Sequence, residues 1–280
     1  MAIRIITDST VDSSDAYRSI YGAVVPLTVS FGEEDFVDGV TLSKDDFYRK
    51  LVSSAELPKT SQATPDAFAK VFEEVTAGGD SAIVITVSSK LSGTYQSARI
   101  AAEDFPGVRV VDSRSVSIGS GVLAEYACRC VEKGMGLDEL TDHLISIRDE
   151  INVVALVDTL KYLKKGGRIS STAAIAGEIL SIKPVIAIQG GVVVILGKAR
   201  GSKKANNFLI EQINQTGVNY DMPILLGYTG TSDEMLQAYI NDSQNLWKGH
   251  VDHLDCVQLS SVIGTHAGPG AVAVAYFKEH

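Results

Sequence analysis

The sequence has 280 residues, of which 45% are hydrophobic and 21% charged, a globular composition with enough material for one large or two ordinary domains. A formal net charge of −9 argues against nucleic-acid binding, which needs a basic face, and no stretch reaches the ~20 uninterrupted apolar residues of a membrane span. The first residues enter a strand pattern at once and lack the basic start and apolar centre of a signal peptide, so we expect a cytoplasmic protein.

The first half of the chain alternates between strand and helix patterns. Apolar runs predict strands at residues 3–7, 23–31, 82–87 and 108–112. Helices are predicted between and after them, in a segment ending near Tyr21 and at residues 42–52, 64–75, 93–104, 120–134 and 137–150. Ser43 and Thr64 stand where helix caps are expected, and Pro65 takes a first helical position. Strands separated by helices pair in parallel, which predicts an open, mostly parallel sheet with helices on both faces.

The second half has a different pattern. A strand at 153–160 precedes a short helix, and two β-rich runs within 184–200 meet at Gly190-Gly191, which is typical of a tight hairpin. The remaining predicted elements are helices at 203–214 and 232–246 and strands at 223–230, 251–262 and 271–277. This pattern indicates a mixed, partly antiparallel sheet with helices. The predicted fold class is therefore α/β with two α/β domains, residues 1–151 and 152–280, and a ligand between them.

Segments rich in glycine and hydroxyl side chains follow several predicted strands. They are TDST (7–10), KTSQ (59–62), SSKLSGT (88–94) and IGTHAGPG (263–270). Open α/β sheets bind ligands beyond the carboxyl ends of their strands. A helix beginning at Ser92 or Gly93 would present free backbone N–H groups beside hydroxyls, which suits an anionic oxygen. Capping alone explains TDST and Thr64, whereas we interpret Ser92 as a ligand contact and Ser88 and Ser89 as turn residues.

Two ionisable residues lie in similar glycine-rich surroundings. His266 lies between a predicted strand and a glycine-rich turn, and Arg168 follows two glycines in KKGGRIS. An imidazole or a guanidinium at such a place can bind an anion. A structural histidine and a surface charge fit the same patterns, so these residues by themselves leave both interpretations open.

The sequence contains no recognisable catalytic machinery. Lys90 occupies the position where the nucleophile elbow G-x-S-x-G around Ser92 would need glycine. There is no H-E-x-x-H, no phosphate-binding lysine loop and no G-x-G-x-x-G after the first strand. The three cysteines form no zinc pattern and are interpreted as buried structural thiols. We therefore expect a binding protein without catalytic or metal-binding residues; the alternative is a hydrolase of a small ester that uses Ser92 and His266.

Eight short motifs occur in an order and spacing found in one known family. They are ITDST, PKTSQATP, SSKLSGTYQSA, VVDSRSVSIGSG, DTLKYLKKGGRIS, IKP, KAR and GTHAGPGAVA. From Ile3 to Phe277, the chain thus resembles the DegV family of bacterial fatty acid-binding proteins. One departure is Ala273, where the last motif often carries glycine, and we expect only slightly altered packing from it.

The resemblance implies a two-domain protein that binds one long-chain fatty acid, such as palmitate or oleate, and needs no cofactor. The acyl chain would lie in an apolar tunnel, with the carboxylate near the domain interface. Thr60 and Ser92 match the family hydroxyls that bind the carboxylate, and Arg168 and His266 match the accompanying polar residues.

The resemblance also implies partners. A separate kinase would convert the bound acid to an acyl-phosphate for lipid synthesis, which fits a chain without a nucleotide loop. Arg200 in the KAR motif matches a stretch near the ligand entrance, where we expect that kinase to dock. Transient contact with a membrane surface is a further expectation, and nucleic acid is not an expected partner.

Overall fold

The computed structural model describes residues 2–14, 21–169 and 182–279. The strands are β1 (Ile3–Asp8), β2 (Tyr21–Val25), β3 (Thr28–Phe31), β4 (Glu34–Val37), β5 (Lys59–Ser61), β6 (Ser81–Thr86), β7 (Val108–Asp112), β8 (Ile151–Leu156), β9 (Ile182–Gln189), β10 (Val192–Arg200), β11 (Leu225–Tyr228), β12 (Asp255–Gln258) and β13 (Val272–Phe277). The α-helices are α1 (Lys44–Ser53), α2 (Pro65–Thr76), α3 (Thr94–Ala102), α4 (Ile118–Glu132), α5 (Leu137–Ile147), α6 (Lys161–Lys165), α7 (Ser202–Thr216), α8 (Glu234–Asp242), α9 (Gln244–Trp247) and α10 (Ser261–Ala267). The predicted helix ending near Tyr21 falls mainly on residues 15–20, outside the described residues.

The first sheet has the strand order β2-β1-β6-β7, and each of its pairs is parallel. Successive strand residues face opposite sides, so Ile5 and Ile83 belong to one core cluster while Ile6 and Val84 belong to another. Helices α2 and α3 cover one face, and α4 and α5 cover the other. The predicted parallel sheet with helices on both faces is confirmed.

A small antiparallel sheet of order β4-β3-β5 packs beside the first sheet and was not predicted from the sequence. Its origin is Pro26, which divides the predicted strand at 23–31. Proline has no N–H to donate and fixes φ, so one sheet ladder cannot continue through it. Strand β2 therefore ends in the parallel sheet, whereas β3 pairs with β4 and with β5, the strand that carries Thr60.

The second large sheet has six strands in the order β10-β9-β8-β13-β11-β12. All of its pairs are antiparallel except β11 with β12, so the predicted mixed sheet is confirmed. The predicted hairpin joins β9 and β10 at Gly190 and Gly191, whose φ angles are +58° and +85°. Two consecutive positive φ values define the tight turn that matches strand twist, and only glycine adopts them without strain.

Helix α4 is the element that both large sheets share. It contacts β1 and β6 of the parallel sheet and β8, β11 and β13 of the six-stranded sheet. Ile118 and Val122 of this helix belong to the same core cluster as Ile83 and Val153, which lie on different sheets. One continuous apolar core therefore runs from sheet to sheet through α4. No helix among the described residues is long and apolar enough to cross a membrane.

The predicted strand at 251–262 is wrong at both ends. Strand β12 is only four residues long, and the residues after it form helix α10. His266 therefore lies on a helix rather than between a strand and a turn. The β-branched Val262 and Ile263 favour a strand locally, and contacts with distant parts of the chain override that preference.

The cysteines also differ in part from expectation. Cys128 and Cys130 are buried in α4, as predicted, but Cys256 is exposed on β12. An exposed side chain is natural there because β12 is the edge strand of its sheet. All three thiols are free.

We expect Gly121→Ala to destabilise the protein strongly. A Cβ atom at Gly121 would lie 1.9 Å from the backbone carbonyl oxygen of Asp12, so α4 would have to move away from the first sheet. Overpacking against backbone costs about 3 kcal/mol or more in unfolding free energy. Gly78→Ala is the matched control, because nothing lies within 4 Å of its built Cβ, and it should change stability by less than ~0.5 kcal/mol. Equal denaturant midpoints for the two variants would contradict the close approach of α4.

Candidate ligand-binding site

A cavity of about 400 Å³ lies between β5 of the small sheet and one face of the six-stranded sheet, and residues just beyond the ends of β1 and β6 also line it. Its volume lies within the range of roughly 300–1,000 Å³ that is usual for small-molecule sites. Helix α10 and the start of α4 complete its wall.

Most of the cavity wall is apolar, and its floor is the face of the six-stranded sheet. Ile186, Ala155 and Ala273 are register partners on β9, β8 and β13, so their side chains form one row across that floor. Val153 and Val157 extend the same face along β8 and beyond its end, two residues to either side. The small alanine side chains leave space above the sheet. Ala273 therefore bears on ligand space as well as on packing.

The polar groups of the cavity include all four residues predicted to bind the ligand. Thr60, Ser92, Arg168 and His266 line it together, although they come from β5, the turn before α3, the loop after α6, and α10. The structure thus places these four residues at one site. Whether each contacts a ligand remains a prediction.

Thr60 and His266 form the central hydrogen bond of this group. Thr60 Oγ1 lies 2.9 Å from His266 Nε2. In the described part of the chain, His266 Nδ1 is buried and has no hydrogen-bond partner. A Cβ at Gly166 would lie 2.2 Å from Nδ1, so this glycine lets the backbone approach the ring. A proton on Nδ1 would be buried without an acceptor, and we therefore place the proton on Nε2.

The tautomer of His266 determines whether the Thr60 hydroxyl can donate a hydrogen bond into the cavity. When Nε2–H donates to Thr60 Oγ1, the hydroxyl proton of Thr60 is left free to be donated into the cavity. Burial lowers the pKa of His266 to about 4, and the nearby Arg168 guanidinium lowers it too. The imidazole is consequently neutral at pH 7. The pair thus presents one oriented, uncharged donor to the cavity.

Ser92 lies at the start of α3 and has two local hydrogen bonds. Its Oγ accepts from the Thr94 amide at 3.2 Å and lies 2.9 Å from Thr94 Oγ1. It therefore satisfies one helix-start N–H while lining the cavity, which combines the two interpretations of the sequence. Gly93 lies beside it, and a Cβ there would lie 2.0 Å from Gln62 Oε1, so a larger residue would displace the Gln62 side chain. Gln62 also lines the cavity and was not singled out from the sequence.

Arg168 joins two loops of the site through backbone carbonyls. Its Nε donates to Leu91 O at 3.2 Å, and its Nη1 donates to Gly166 O at 2.6 Å. Among the described residues, no carboxylate forms an ion pair with this guanidinium. Its positive charge is therefore held beside the cavity.

Ser88, which was interpreted as a turn residue, forms a structural hydrogen bond. Ser88 Oγ donates to Gly191 O at 2.7 Å, which ties this turn to the β9–β10 hairpin. Thr10, in the TDST segment that was interpreted as capping, lines the cavity and donates through its hydroxyl and its amide to Asp8 Oδ1. The second oxygen of Asp8 accepts from the Val87 amide at 2.8 Å, which fixes the ends of β1 and β6 together.

Arg200 lies apart from the other predicted residues. It is exposed at the end of β10 and does not line the cavity. Its register partner on β9 is Ile182, and Ile186, four residues further along β9, lines the cavity, which places Arg200 about 13 Å from that residue along the strand. The structure therefore does not bring Arg200 to the ligand site.

The features of a hydrolase or metal centre are not assembled among the described residues. Ser92 bonds to Thr94 and His266 bonds to Thr60, so no hydrogen bond joins a Ser92 nucleophile to a His266 base. No group of three or more His, Cys, Asp or Glu side chains in the described ranges could hold a metal ion.

The fold and cavity define an α/β protein with two large sheets and a mainly apolar site against one face of the six-stranded sheet. A model of the DegV family, described as uncharacterised, matches residues 2–279. A DegV domain-containing protein of Caldanaerobacter subterraneus subsp. tengcongensis is 34% identical over 283 residues, which cover 99% of each chain. The chain belongs to the DegV family.

Solved structures of relatives have the same fold. A DegV family protein from Thermus thermophilus, described for its fatty acid binding, aligns over 100% of both chains with 33% identity and a TM-score of 0.88. A stearic acid-binding protein from Eubacterium ventriosum aligns over 99% of this chain and 98% of its own, with 26% identity and a TM-score of 0.87. The two-domain α/β architecture is thus shared with these proteins.

We expect His266 to make the ligand-free protein less stable as pH falls. The pKa of His266 is about 4 in the folded chain and 6.5 without the fold, so between these values the unfolded chain binds a proton that the folded chain does not. The contribution of His266 to the unfolding free energy is fully present above pH 6.5 and is lost as the pH falls towards 4, by roughly 3 kcal/mol in total.

His266→Gln should remove this component while keeping a donor near the Nε2 position. The measurement is the unfolding free energy at pH 7 and pH 4.5, compared between variant and wild type. The difference between variant and wild type in this pH dependence isolates the contribution of His266 from the contributions of other buried groups that titrate in this range. His253→Gln is the control, because His253 is exposed. Parallel curves for wild type and His266→Gln would show that His266 is not held neutral by burial.

Proposed function

We propose that this protein is a non-enzymatic carrier that binds one long-chain fatty acid. The observation that carries the proposal is the mainly apolar cavity with Thr60, Ser92 and His266 among its polar groups. A fatty acid has this same division, one carboxylate on a long apolar chain. Burial of the chain contributes roughly 0.8 kcal/mol per CH₂ group, and the carboxylate is stabilised only if hydrogen bonds replace its water.

The electrostatics of the cavity support a carboxylate head group. Thr60 and Ser92 supply hydroxyls, and Thr60 has its proton free for donation because His266 Nε2–H donates to its oxygen. Arg168 adds a positive charge that no described carboxylate neutralises. Bonds from hydroxyl donors to a charged acceptor are worth about 1.5–3 kcal/mol each.

The relatives support the same ligand class. The Thermus thermophilus protein is described for fatty acid binding, and the Eubacterium ventriosum protein is described as binding stearic acid. We propose a saturated or monounsaturated acid such as palmitate or oleate for this chain, bound without a cofactor. We also propose that the chain divides into residues 1–151 and 152–280, with the acid between them. The start of the six-stranded sheet at Ile151 supports this division.

A partner protein would perform the chemistry. We propose that a separate kinase phosphorylates the bound carboxylate in the cytoplasm and that Arg200 contributes to its docking. Arg200 is exposed on a protein of net charge −9 and lies about 13 Å along the strand from Ile186, which lines the cavity. Its guanidinium can pair bidentately with a carboxylate of a partner. Docking and ligand binding would then use separate surfaces.

We expect a fatty acid to co-purify with the protein. Mass spectrometry of an organic extract should detect a saturated or monounsaturated acid near one equivalent per chain, because an apolar chain of this length stays bound through purification. Delipidated protein should take up palmitate or oleate again. Protein that is free of lipid and binds neither acid would contradict the carrier proposal.

We expect Thr60→Ala and Ser92→Ala each to weaken palmitate binding about tenfold or more, since each removes a hydrogen bond to a charged acceptor. Titration of delipidated protein measures the effect. Ser53→Ala is the control, because its hydroxyl bonds only to the backbone of α1. The hydrolase alternative instead predicts that Ser92→Ala retains binding and loses turnover of a model ester. Unchanged affinity in both site variants would mean that the carboxylate lies elsewhere.

We expect Arg200→Ala to retain palmitate affinity but to slow acyl-phosphate formation by a kinase of the same organism. An exposed charge acts mainly on the encounter of two proteins, so the wild-type reaction should also slow as salt rises. Arg4→Ala is the control, because Arg4 is another exposed arginine and pairs with Asp80. Full turnover of Arg200→Ala at limiting carrier concentration would place the docking surface elsewhere.

A further inference from the structure

Residues 258–261, here called the anchor segment, connect β12 to α10 and are bound by side chains from the first part of the chain. The segment precedes the helix that carries His266. Helix α1 supplies three of its partners. Lys44 Nζ donates to Gln258 O, Asp45 accepts from the Gln258 side-chain amide at 2.8 Å, and Tyr48 Oη donates to Leu259 O at 3.0 Å.

Two buried carboxylates bind the next two amides of the anchor segment. Asp12 Oδ1 accepts from the Ser260 amide at 2.9 Å, and Asp38 Oδ1 accepts from the Ser261 amide at 3.2 Å. Asp12 and Asp38 are 2% and 4% exposed. Every residue of the segment is therefore bound to an element more than 200 positions earlier in the chain.

Helix α10 depends on these bonds because its own sequence favours it weakly. It has seven residues, fewer than a helix needs to be stable alone, and Val262, Ile263 and Thr265 are β-branched. Its Gly264 lies against Phe47 and Tyr48 of α1, where a Cβ would come within 2.5 Å of the Phe47 ring and 2.7 Å of Tyr48 Oη. The position of α10 is thus set by α1 and the two carboxylates.

Asp12 has two further partners at this junction. Lys44 Nζ lies 3.3 Å from Asp12 Oδ1, and Ser117 Oγ donates to Asp12 Oδ2 at 2.8 Å. Asp8 and Asp38 are also buried carboxyls, and burial and, to a lesser extent, the neighbouring Asp12 raise the pKa of both. Removing one partner of a buried ion pair leaves the other charge uncompensated, which is strongly unfavourable. Lys44 therefore secures the carboxylate that holds the start of α10.

We infer that the Asp12–Lys44 pair is a positioning element that holds α10 in place, keeps His266 against Thr60, and thereby controls the affinity for the acid. Neither residue lines the cavity. The effect on affinity rests on the proposed function, whereas the effect on the His266 ring does not. The pair therefore acts on the site through the anchor segment.

The test compares Lys44→Met with the double variant Asp12→Asn/Lys44→Met. Lys44→Met should weaken palmitate binding about tenfold or more and shift the ring ¹⁵N signals of His266 in the ligand-free protein. The double variant should recover most of the lost affinity and return the His266 signals most of the way to their wild-type positions. The reason is that an Asn oxygen can still accept from the Ser260 amide without leaving a charge. Lys50→Met is the matched control: Lys50 lies on the same helix and pairs with Glu34 at the surface. It should change neither readout by more than about twofold.

Unchanged His266 signals and affinity in a folded Lys44→Met protein would overturn the inference. A double variant as impaired as Lys44→Met would overturn the part assigned to the charge pair. If Lys44→Met does not fold, Tyr48→Phe removes only the bond to Leu259 O and should shift the same His266 signals, with about threefold weaker binding; no shift would overturn the inference. If wild type itself binds no acid, the proposed function fails, and the His266 signals still test the positioning.

Discussion

The hydrogen bond between Thr60 and His266 joins residues 206 positions apart and can form only when the fold has brought β5 and α10 together. Thr60 lies on a three-residue strand of the small sheet, and His266 lies on α10. Neither element is stable alone, since isolated short helices and narrow sheets are marginal in water. The polar end of the site therefore exists only in the complete fold. A local change in either element must propagate to the other.

The uncharged state of His266 suits a site that is sometimes empty. A protonated imidazole beside Arg168 would place two cations next to an apolar cavity, and without a bound anion they would be uncompensated. Burial lowers the pKa of His266 to about 4 and so avoids this cost. Gly166 contributes by letting the backbone approach Nδ1, which is buried. The neutral pair Thr60–His266 can then donate a hydrogen bond into the cavity without adding a buried charge.

Local sequence patterns predicted the features that neighbouring residues determine. The Gly190-Gly191 hairpin, the Ser43 and Thr64 caps and the two kinds of sheet follow from turn chemistry, capping and strand–helix alternation over short windows. Helix α10 could not be predicted this way, because Asp12 and Asp38 bind its first amides across 248 and 223 positions. The same limit applies to the site. Their motifs identified the four site residues, Thr60, Ser92, Arg168 and His266. Spacing alone could not reveal that Lys44 and Asp12 hold the helix of His266 in place.

Apolar and polar parts of the cavity wall are held by different contacts of this fold. The row Ile186–Ala155–Ala273 faces the cavity because of strand register on the six-stranded sheet. Helix α10 carries both kinds of wall, since Val262 and Ile263 add apolar surface whereas His266 belongs to the polar end. Its position depends on bonds to α1 and Asp12, none of which involves a residue of the row. A change of side-chain volume at Ala155 or Ala273 leaves those bonds intact, so the apolar floor and the polar end can vary independently within one architecture.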